Sequence, residues 1–263
     1  MLQQILNRLP GDFPWQSQIH WYDTIESTNT AAKSMALSGA PHGTVLVAGH
    51  QTGGRGRMGR SFHSPVGMGV YMTILLRPQC KPEQLMHLTC ATAVAMCDAV
   101  ENAARFRPQV KWTNDLVVGT KKLGGILTEL VFSPTGLCAI VGIGINARQK
   151  PEDFPEELRQ IACSAAMVSG TPLDTAALAA SMIQALYRMD QRLLSGKSEI
   201  LAQYRRDCIT PGKEISILRA DQVQHATALD INDDGALIVR FPDGQTETVN
   251  SGEVSIRGMY GYV

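Results

Sequence analysis

Net charge is the first thing this chain lacks: its 24 lysines and arginines balance 24 aspartates and glutamates. No global field therefore draws it to nucleic acid or to an anionic membrane, and any anion binding has to be built locally. Aromatic residues are also scarce, at 6%, too few to interleave exposed stacking rings with a basic face as an RNA-binding module requires. No apolar run approaches the roughly 18 residues of a membrane span. Met1 to Phe13 holds nothing like the apolar core of a secretory signal. The expectation is a cytoplasmic protein without membrane contact. Six cysteines are present (Cys80, Cys90, Cys97, Cys138, Cys163 and Cys208), yet they form no C-x-x-C pair and no histidine stands at metal-ligand spacing beside them. They read as reduced, mostly buried thiols rather than as a disulfide or zinc framework. There is no internal repeat and no low-complexity segment.

The 263 residues suit one medium domain and a small one. After a short lead, Ser27-Thr28-Asn29 offers capping groups to a small-residue helix that stops near Gly39. Thr44 to Ala48 and Val70 to Leu76 are short, apolar and β-rich, which suits strands buried on both faces. Leu85, Leu88, Thr92, Ala95, Met96 and Ala99 recur at helical spacing before Pro108. Strand candidates follow at Gln109 to Trp112, Leu116 to Val118, Leu123 to Phe132 and Leu137 to Ile145, which read as an antiparallel meander. Leu178 to Leu193 and Ser198 to Tyr204 mark two further helices covering the sheet. From Pro211 the texture changes to short β-rich pieces (Glu214 to Leu218, Ala226 to Ile231, Ala236 to Phe241, Glu247 to Val249, Val254 to Arg257), with turn signals at Asp233-Asp234-Gly235 and Pro242-Asp243-Gly244. The expectation is an α+β fold: a mixed, largely antiparallel sheet covered by helices, then a small β-barrel. That barrel is either a passive cap or a direct contributor to substrate or partner contact.

The segment Gly53-Gly54-Arg55-Gly56-Arg57-Met58-Gly59-Arg60 concentrates the chemistry. Glycines let backbone N–H groups approach an anion, and the arginines supply permanently charged forks suited to phosphate or carboxylate. The alternative is a solvated, flexible hairpin. Gly54-x-Gly56-x-x-Gly59 matches a dinucleotide fingerprint in spelling only, because Ser61 to Met68 contains Pro65 and no apolar period to form the required helix. Kinase-type partners, His-Arg-Asp and Asp-Phe-Gly, are absent. Gly142-x-Gly144-x-x-Ala147 is a second decoy, ending a strand rather than opening a helix. A second constellation runs from Trp112-Thr113-Asn114-Asp115 to Lys122-Leu123-Gly124-Gly125-Ile126-Leu127. Lys122 is either a solvated strand-end cation or a point charge delivered to a carboxylate and an α-phosphate. Asp115 is either a turn former or a functional carboxylate.

Taken in order, these pieces resemble the biotin protein ligase family. The matching runs are Ser27-Thr28-Asn29, Gln51 to Arg60, Trp112 to Asp115, Lys122 to Leu127 with Glu129, Gly142-Ile143-Gly144-Ile145-Asn146, and Ser251-Gly252-Glu253-Val254-Ser255-Ile256-Arg257. The resemblance implies a class II synthetase-like catalytic domain over residues 1–209 and an SH3-like barrel over 210–263. It implies ATP and biotin as substrates, Mg²⁺ with the ATP, and a biotin carboxyl carrier protein as acceptor. Biotin's carboxylate would attack the α-phosphate to give biotinyl-adenylate and pyrophosphate, and an acceptor lysine would then take the biotinyl group.

By the family pattern Ser27, Thr28, Asn29, Gln51, Gly54, Arg55, Trp112, Lys122 and Gly125 would bind biotin. Arg57, Arg60, Phe62, Asn114, Lys122 and Asn146 would bind ATP or the adenylate. Lys122, Arg55 and Asp115 would carry the catalysis, with Asp115 orienting either the acceptor amine or a Mg²⁺ ion. Gly54 and Gly125 would admit close backbone contact. The family commonly has proline at the position of Thr113 and tryptophan at that of Phe62, so a less rigid turn before Asn114 and a smaller stacking ring are expected. Only 26 residues precede Ser27, which leads to the expectation of a ligase without a DNA-binding domain; a homodimer is left open. The rival readings are a lipoate or octanoate protein ligase, which lacks a matching arginine loop, and a non-enzymatic RNA-binding module.

Overall fold

Strand burial shows how the layers are arranged. The computed structural model describes residues 1–133, 136–219, 222–250, 253–256 and 259. It opens with helix α1 (Leu2–Leu6), strand β1 (Ile19–Tyr22), helix α2 (Thr28–Leu37) and strands β2 (Thr44–Ala48) and β3 (Gly69–Leu76). All five residues of β2 and all eight of β3 are buried, so both faces of this sheet are covered. The pleat divides them by alternation. Val45, Val47, Met72, Ile74 and Leu76 join the main core, while Leu46 and Leu75 meet Ala32 and Ala36 of α2 on the other face. The small residues of α2 let the helix lie close, and Ser27 caps it by accepting from the Thr30 N–H.

The chain continues through α3 (Leu88–Ala104), β4 (Gln109–Lys111), β5 (Asp115–Val118), β6 (Lys121–Ser133) and β7 (Gly136–Asn146). These complete a seven-stranded sheet in the order β1-β2-β3-β7-β6-β5-β4. Every pairing is antiparallel except that of β1 with β2. Then come α4 (Ala165–Ser169), α5 (Thr175–Arg192) and α6 (Lys197–Asp207), with α5 and α6 both packed on α3. The expected meander and helices are therefore present. The short lead, for which the sequence suggested no element, packs into the core: Ile5, Leu9, Phe13, Trp15 and Ile19 are all buried. Trp15 stacks edge-on against Tyr187 of α5, ring centroids 5.1 Å apart, and a side chain on Gly43 would strike the indole at 2.3 Å. A five-residue helix and a four-residue edge strand are too short to show a period, which is why only packing reveals them.

Residues β8 (Glu214–Arg219), β9 (Gln222–Ile231), β10 (Leu237–Arg240), β11 (Thr246–Val249) and β12 (Glu253–Ile256) form a second, antiparallel five-stranded sheet in the order β11-β10-β9-β8-β12. Ser251, Gly252 and Arg257 of the C-terminal motif lie outside the described residues. The tip between β9 and β10 is seated on the larger unit. The Trp112 indole donates to the Gly235 carbonyl at 2.9 Å, Arg205 pairs with Asp233 at 2.9 Å and Lys197 with Asp234 at 2.7 Å. All six cysteines are free thiols, and burial pushes those of Cys90 and Cys163 up to about 12 and about 11. No helix among the described residues is long and apolar enough to cross a membrane.

Gly235 combines φ +82° with a Cβ position only 2.6 Å from the Cys90 sulfur, whereas Gly244 has φ +88° and open space. Gly235→Ala is expected to cost about 2–4 kcal/mol, through strain plus a clash under the seated turn. Gly244→Ala carries the strain alone, about 1 kcal/mol. Urea denaturation of the two variants side by side checks this, and equal losses would show that the turn is not tightly seated.

Candidate active site

A cavity of about 320 Å³ opens where β6 and β7 meet the α2 N-terminus and the glycine-arginine loop. Arg55, Arg57, Arg60, Lys111 and Lys122 line it, against a single carboxylate among the described residues, Asp115. A chain of zero net charge thus gathers five cations at one place, which is the local anion site its balanced composition requires.

Lys122 is not a solvated strand end. Its main-chain N–H donates to the Ile161 carbonyl at 2.8 Å, its own carbonyl accepts from Cys163 at 2.9 Å, and its ammonium pairs with Asp115 Oδ1 at 2.7 Å. β6 begins at Lys121, two residues before the expected start. A Cβ on Gly125 would stand 3.3 Å from Lys122 Cε, so the glycine clears the path along which the lysine lies. Asp115 is accordingly both the start of β5 and the partner of Lys122.

The arginine loop closes on itself as a hydrogen-bonded hairpin, with Arg55 and Ser61 bridged antiparallel. Gly56 N–H donates to the Arg60 carbonyl at 2.7 Å, and Phe62 N–H to the Gly54 carbonyl at 2.9 Å. Met58 occupies the left-handed region at φ 55° and is exposed at the tip. Arg57 reaches inward and donates to Asn114 Oδ1 at 2.8 Å. Asn114 in turn donates through Nδ2 to the Ile126 carbonyl at 3.0 Å, tying the loop to β6. Gly54 does not face the cavity: a side chain there would meet the Phe62 carbonyl at 2.4 Å and Ser64 Oγ at 2.7 Å, so its role is to let the hairpin close on itself. Every other residue expected at the site lines the cavity.

At the α2 end the polar groups form one connected chain. Glu129 and the Leu127 carbonyl only accept, so Asn29 turns Nδ2 toward them, at 3.1 and 3.4 Å, and faces Thr73 with Oδ1. Thr73 shares its one hydroxyl proton between that oxygen, at 2.6 Å, and the Thr28 hydroxyl oxygen, at 2.8 Å, while the Thr28 hydroxyl donates to Gln51 Oε1 at 3.1 Å. Gln51 Oε1 accepts the Thr28 main-chain N–H at 2.9 Å, while Gln51 Nε2 donates to Ser64 at 3.1 Å. Lys33 closes the far end on Glu129 at 2.6 Å. The proton count leaves the Thr28 hydroxyl presenting lone pairs, and the Ser27 hydroxyl a free proton, to a ligand in the cavity.

Gly142 and Gly144, on one face of β7, form the floor. A Cβ at Gly142 would fall 2.0 Å from Asn29 Oδ1, and one at Gly144 2.5 Å from the Phe62 ring. The decoy fingerprint is thus a seat for two side chains. Asn146 is held by Gln149 and by the Cys163 carbonyl, both at 3.1 Å. Sequence reasoning missed Thr73, buried Lys111, His63, the wall formed by Phe154, Leu158 and Ile161, and the contribution of Val254 and Ser255 from β12. The last of these makes the C-terminal sheet part of the cavity wall rather than a remote cap. Among the described residues no three His, Cys, Asp or Glu side chains converge on a metal position.

Known proteins agree with this arrangement. Residues 21–146 match the biotin/lipoate A/B protein ligase family, and residues 210–257 the biotin protein ligase C-terminal domain. The bifunctional ligase/repressor BirA of Bacillus subtilis is 34% identical over 226 residues, 85% of this chain and 70% of that protein. The biotin–[acetyl-CoA-carboxylase] ligase of Mycobacterium tuberculosis is 30% identical over 234 residues, 87% of this chain and 85% of that one. The biotin protein ligase of Aquifex aeolicus, solved with biotin and ATP, superposes with a TM-score of 0.79 at 26% identity, covering 91% of this chain and 98% of its own. Shared sequence across both sheets, and a shared fold around this cavity, mean that the chain belongs to the biotin protein ligase family.

Proposed function

We infer that this chain activates biotin with ATP as biotinyl-5'-AMP and passes the biotinyl group to a lysine of a carboxylase biotin carboxyl carrier protein. Pyrophosphate leaves in the first step and AMP in the second. The observation that carries this reading is the cavity itself, with five cations at one end and a closed hydrogen-bond chain at the other.

Biotin's ureido head offers two N–H donors and one carbonyl, which match the Thr28 lone pairs and the Ser27 proton, with Gln51 fixing Thr28 from behind. Asn29 holds the chain in register, and Trp112 and Gly125 line the biotin side. Two anions, carboxylate and α-phosphate, must then approach one another. Arg55 and Lys122 neutralise them, Arg60 addresses the outer phosphates, and Arg57 and Asn114 hold the adenylate. Phe62 lies under the adenine on its Gly144 seat, with Asn146 beside the nucleotide. Lys122 turns from Asp115 toward the incoming phosphate, which leaves Asp115 to orient the acceptor amine. Magnesium enters as part of the substrate MgATP, held mainly by phosphate oxygens, since among the described residues Asp115 is the one carboxylate lining the cavity. Residues 1–209 form the catalytic domain on this reading and 210–263 a small SH3-like barrel, supported by the C-terminal family match.

Acid-dependent exchange of pyrophosphate into ATP, run with biotin, lipoate and octanoate in parallel, tests the assignment. Exchange with biotin alone is expected, and exchange with lipoate or octanoate but not biotin would overturn it. Lys122→Ala is expected to lower exchange by about a hundredfold or more, while leaving thermal stability nearly unchanged, because a partly exposed ion pair contributes little to folding. Arg57→Gly removes a charged hydrogen bond of about 1.5–3 kcal/mol, so adenylate should still form but escape about ten- to a hundredfold faster. Streptavidin blots of serum albumin incubated with the variant, biotin and ATP read that escape as bystander labelling. Thr73→Val, which leaves Asn29 Oδ1 and the Thr28 hydroxyl without their shared donor, should raise KM for biotin about tenfold with a smaller change in kcat. Thr73→Ser should restore it.

A further inference from the structure

A second cavity, of about 180 Å³, lies against the first and shares Arg57 and Ile126 with it. It opens between the N-terminal turn of α3, the face of β6 and the seated β9–β10 turn, with exposed Met86, Asp234 and Asn250 at its rim. Its depth is amphipathic: Ile126 and Ala236 supply apolar wall, and the Thr89 hydroxyl donates to that of Thr128 at 3.0 Å. What separates the two spaces is the Arg57 side chain, held by Asn114, together with Ile126, whose main chain exchanges hydrogen bonds with Asn114. Nothing in the adenylation chemistry uses this second space.

We propose that this cavity is the channel by which the acceptor's lysine side chain reaches the adenylate. Four methylenes and an amine match an apolar wall with hydroxyl acceptors along it, and the exposed rim keeps the acceptor's backbone outside. Entry from this side leaves biotin and nucleotide undisturbed in the first cavity. The proposal rests on the ligase reading above.

In the transfer the ε-ammonium sheds one proton to solvent. The neutral nitrogen bonds to the acyl carbon, and the bond from that carbon to the phosphate oxygen breaks, AMP leaving with the electron pair. The nitrogen's second proton passes to the Asp115 carboxylate, giving a neutral amide. Arg57 is the door. The adenylate phosphate is an anion and outcompetes the neutral Asn114 oxygen for the guanidinium, so the partition opens once there is an adenylate to attack.

The test is a bulk series at the channel, Thr89→Ala, Thr89→Val and Thr89→Trp, with Met86→Trp at the exposed rim as a variant that the packing tolerates. Each is assayed for biotin-dependent pyrophosphate exchange, for transfer to the purified biotin carboxyl domain of a carboxylase, and for biotinyl-hydroxamate formation with hydroxylamine. Transfer to the carrier should fall with side-chain volume, about tenfold or more for Thr89→Trp, while exchange and hydroxamate formation stay at the parental level. Met86→Trp should show the same split to a smaller degree. Carrier transfer at the parental rate in folded Thr89→Trp and Met86→Trp would overturn the channel. So would a parallel fall in exchange and transfer. Absence of biotin-dependent exchange in the parent would instead strike the ligase reading.

Discussion

Two negative groups have to be brought within bonding distance, and the rest of this structure is arranged around that repulsion. Two unit charges 4 Å apart repel by about 4 kcal/mol at an effective dielectric of 20, and more as water is excluded. Among the described residues, five cations around one carboxylate supply the opposing field. Those cations also repel one another, and two of them have polar partners within the site. Lys122 rests on Asp115, and Arg57 rests on Asn114.

Such a field is useful only if biotin arrives in one orientation, and that is decided by a layer behind the cavity. The run from Lys33 through Glu129, Asn29 and Thr73 to Thr28 and Gln51 is hydrogen-bonded from end to end, and the Thr28 proton is directed away from the cavity, at Gln51 Oε1. Its origin is a carboxylate that can only accept. The Thr28 hydroxyl is therefore preset as an acceptor before any ligand enters, which spares the reorganisation that a freely rotating hydroxyl would need. The glycines of β7 serve the same end, since only a residue without Cβ leaves room for Asn29 and Phe62 to lie flat on the strand.

The C-terminal sheet is coupled to this site by contact. β12 brings Val254 and Ser255 to the cavity wall, and the β9–β10 turn is clamped by Trp112, a residue that also lines the cavity. One indole thus joins the seat of the second sheet to the substrate space. The seam between the two sheets is also where the second cavity opens, so the geometry of that turn governs a route to the reacting carbon as well as stability.

Much of this was readable in the chain itself. Buried strands announced themselves as continuous apolar runs, the long helices as 3.6-residue periods, and the anion site as arginines among glycines, because each is a local pattern set by backbone geometry. The order of six short motifs was enough for the family and the chemistry. What the sequence could not reveal was anything that depends on residues distant in the chain meeting in space. The N-terminal helix and strand are too short to carry a period. Thr73 looks like any strand threonine until Asn29, 44 positions away, is placed beside it. Gly54 read as a glycine admitting close contact with the ligand, yet it is a spacer within the hairpin, because a glycine's purpose is set by what approaches it. By itself the sequence determined the longer elements, the family and the charged groups of the reaction. Only the tertiary structure decided which way the protons point, which cation rests on which partner, and that two cavities meet at Arg57, since hydrogen-bond direction and shared walls exist only between surfaces that folding brings together.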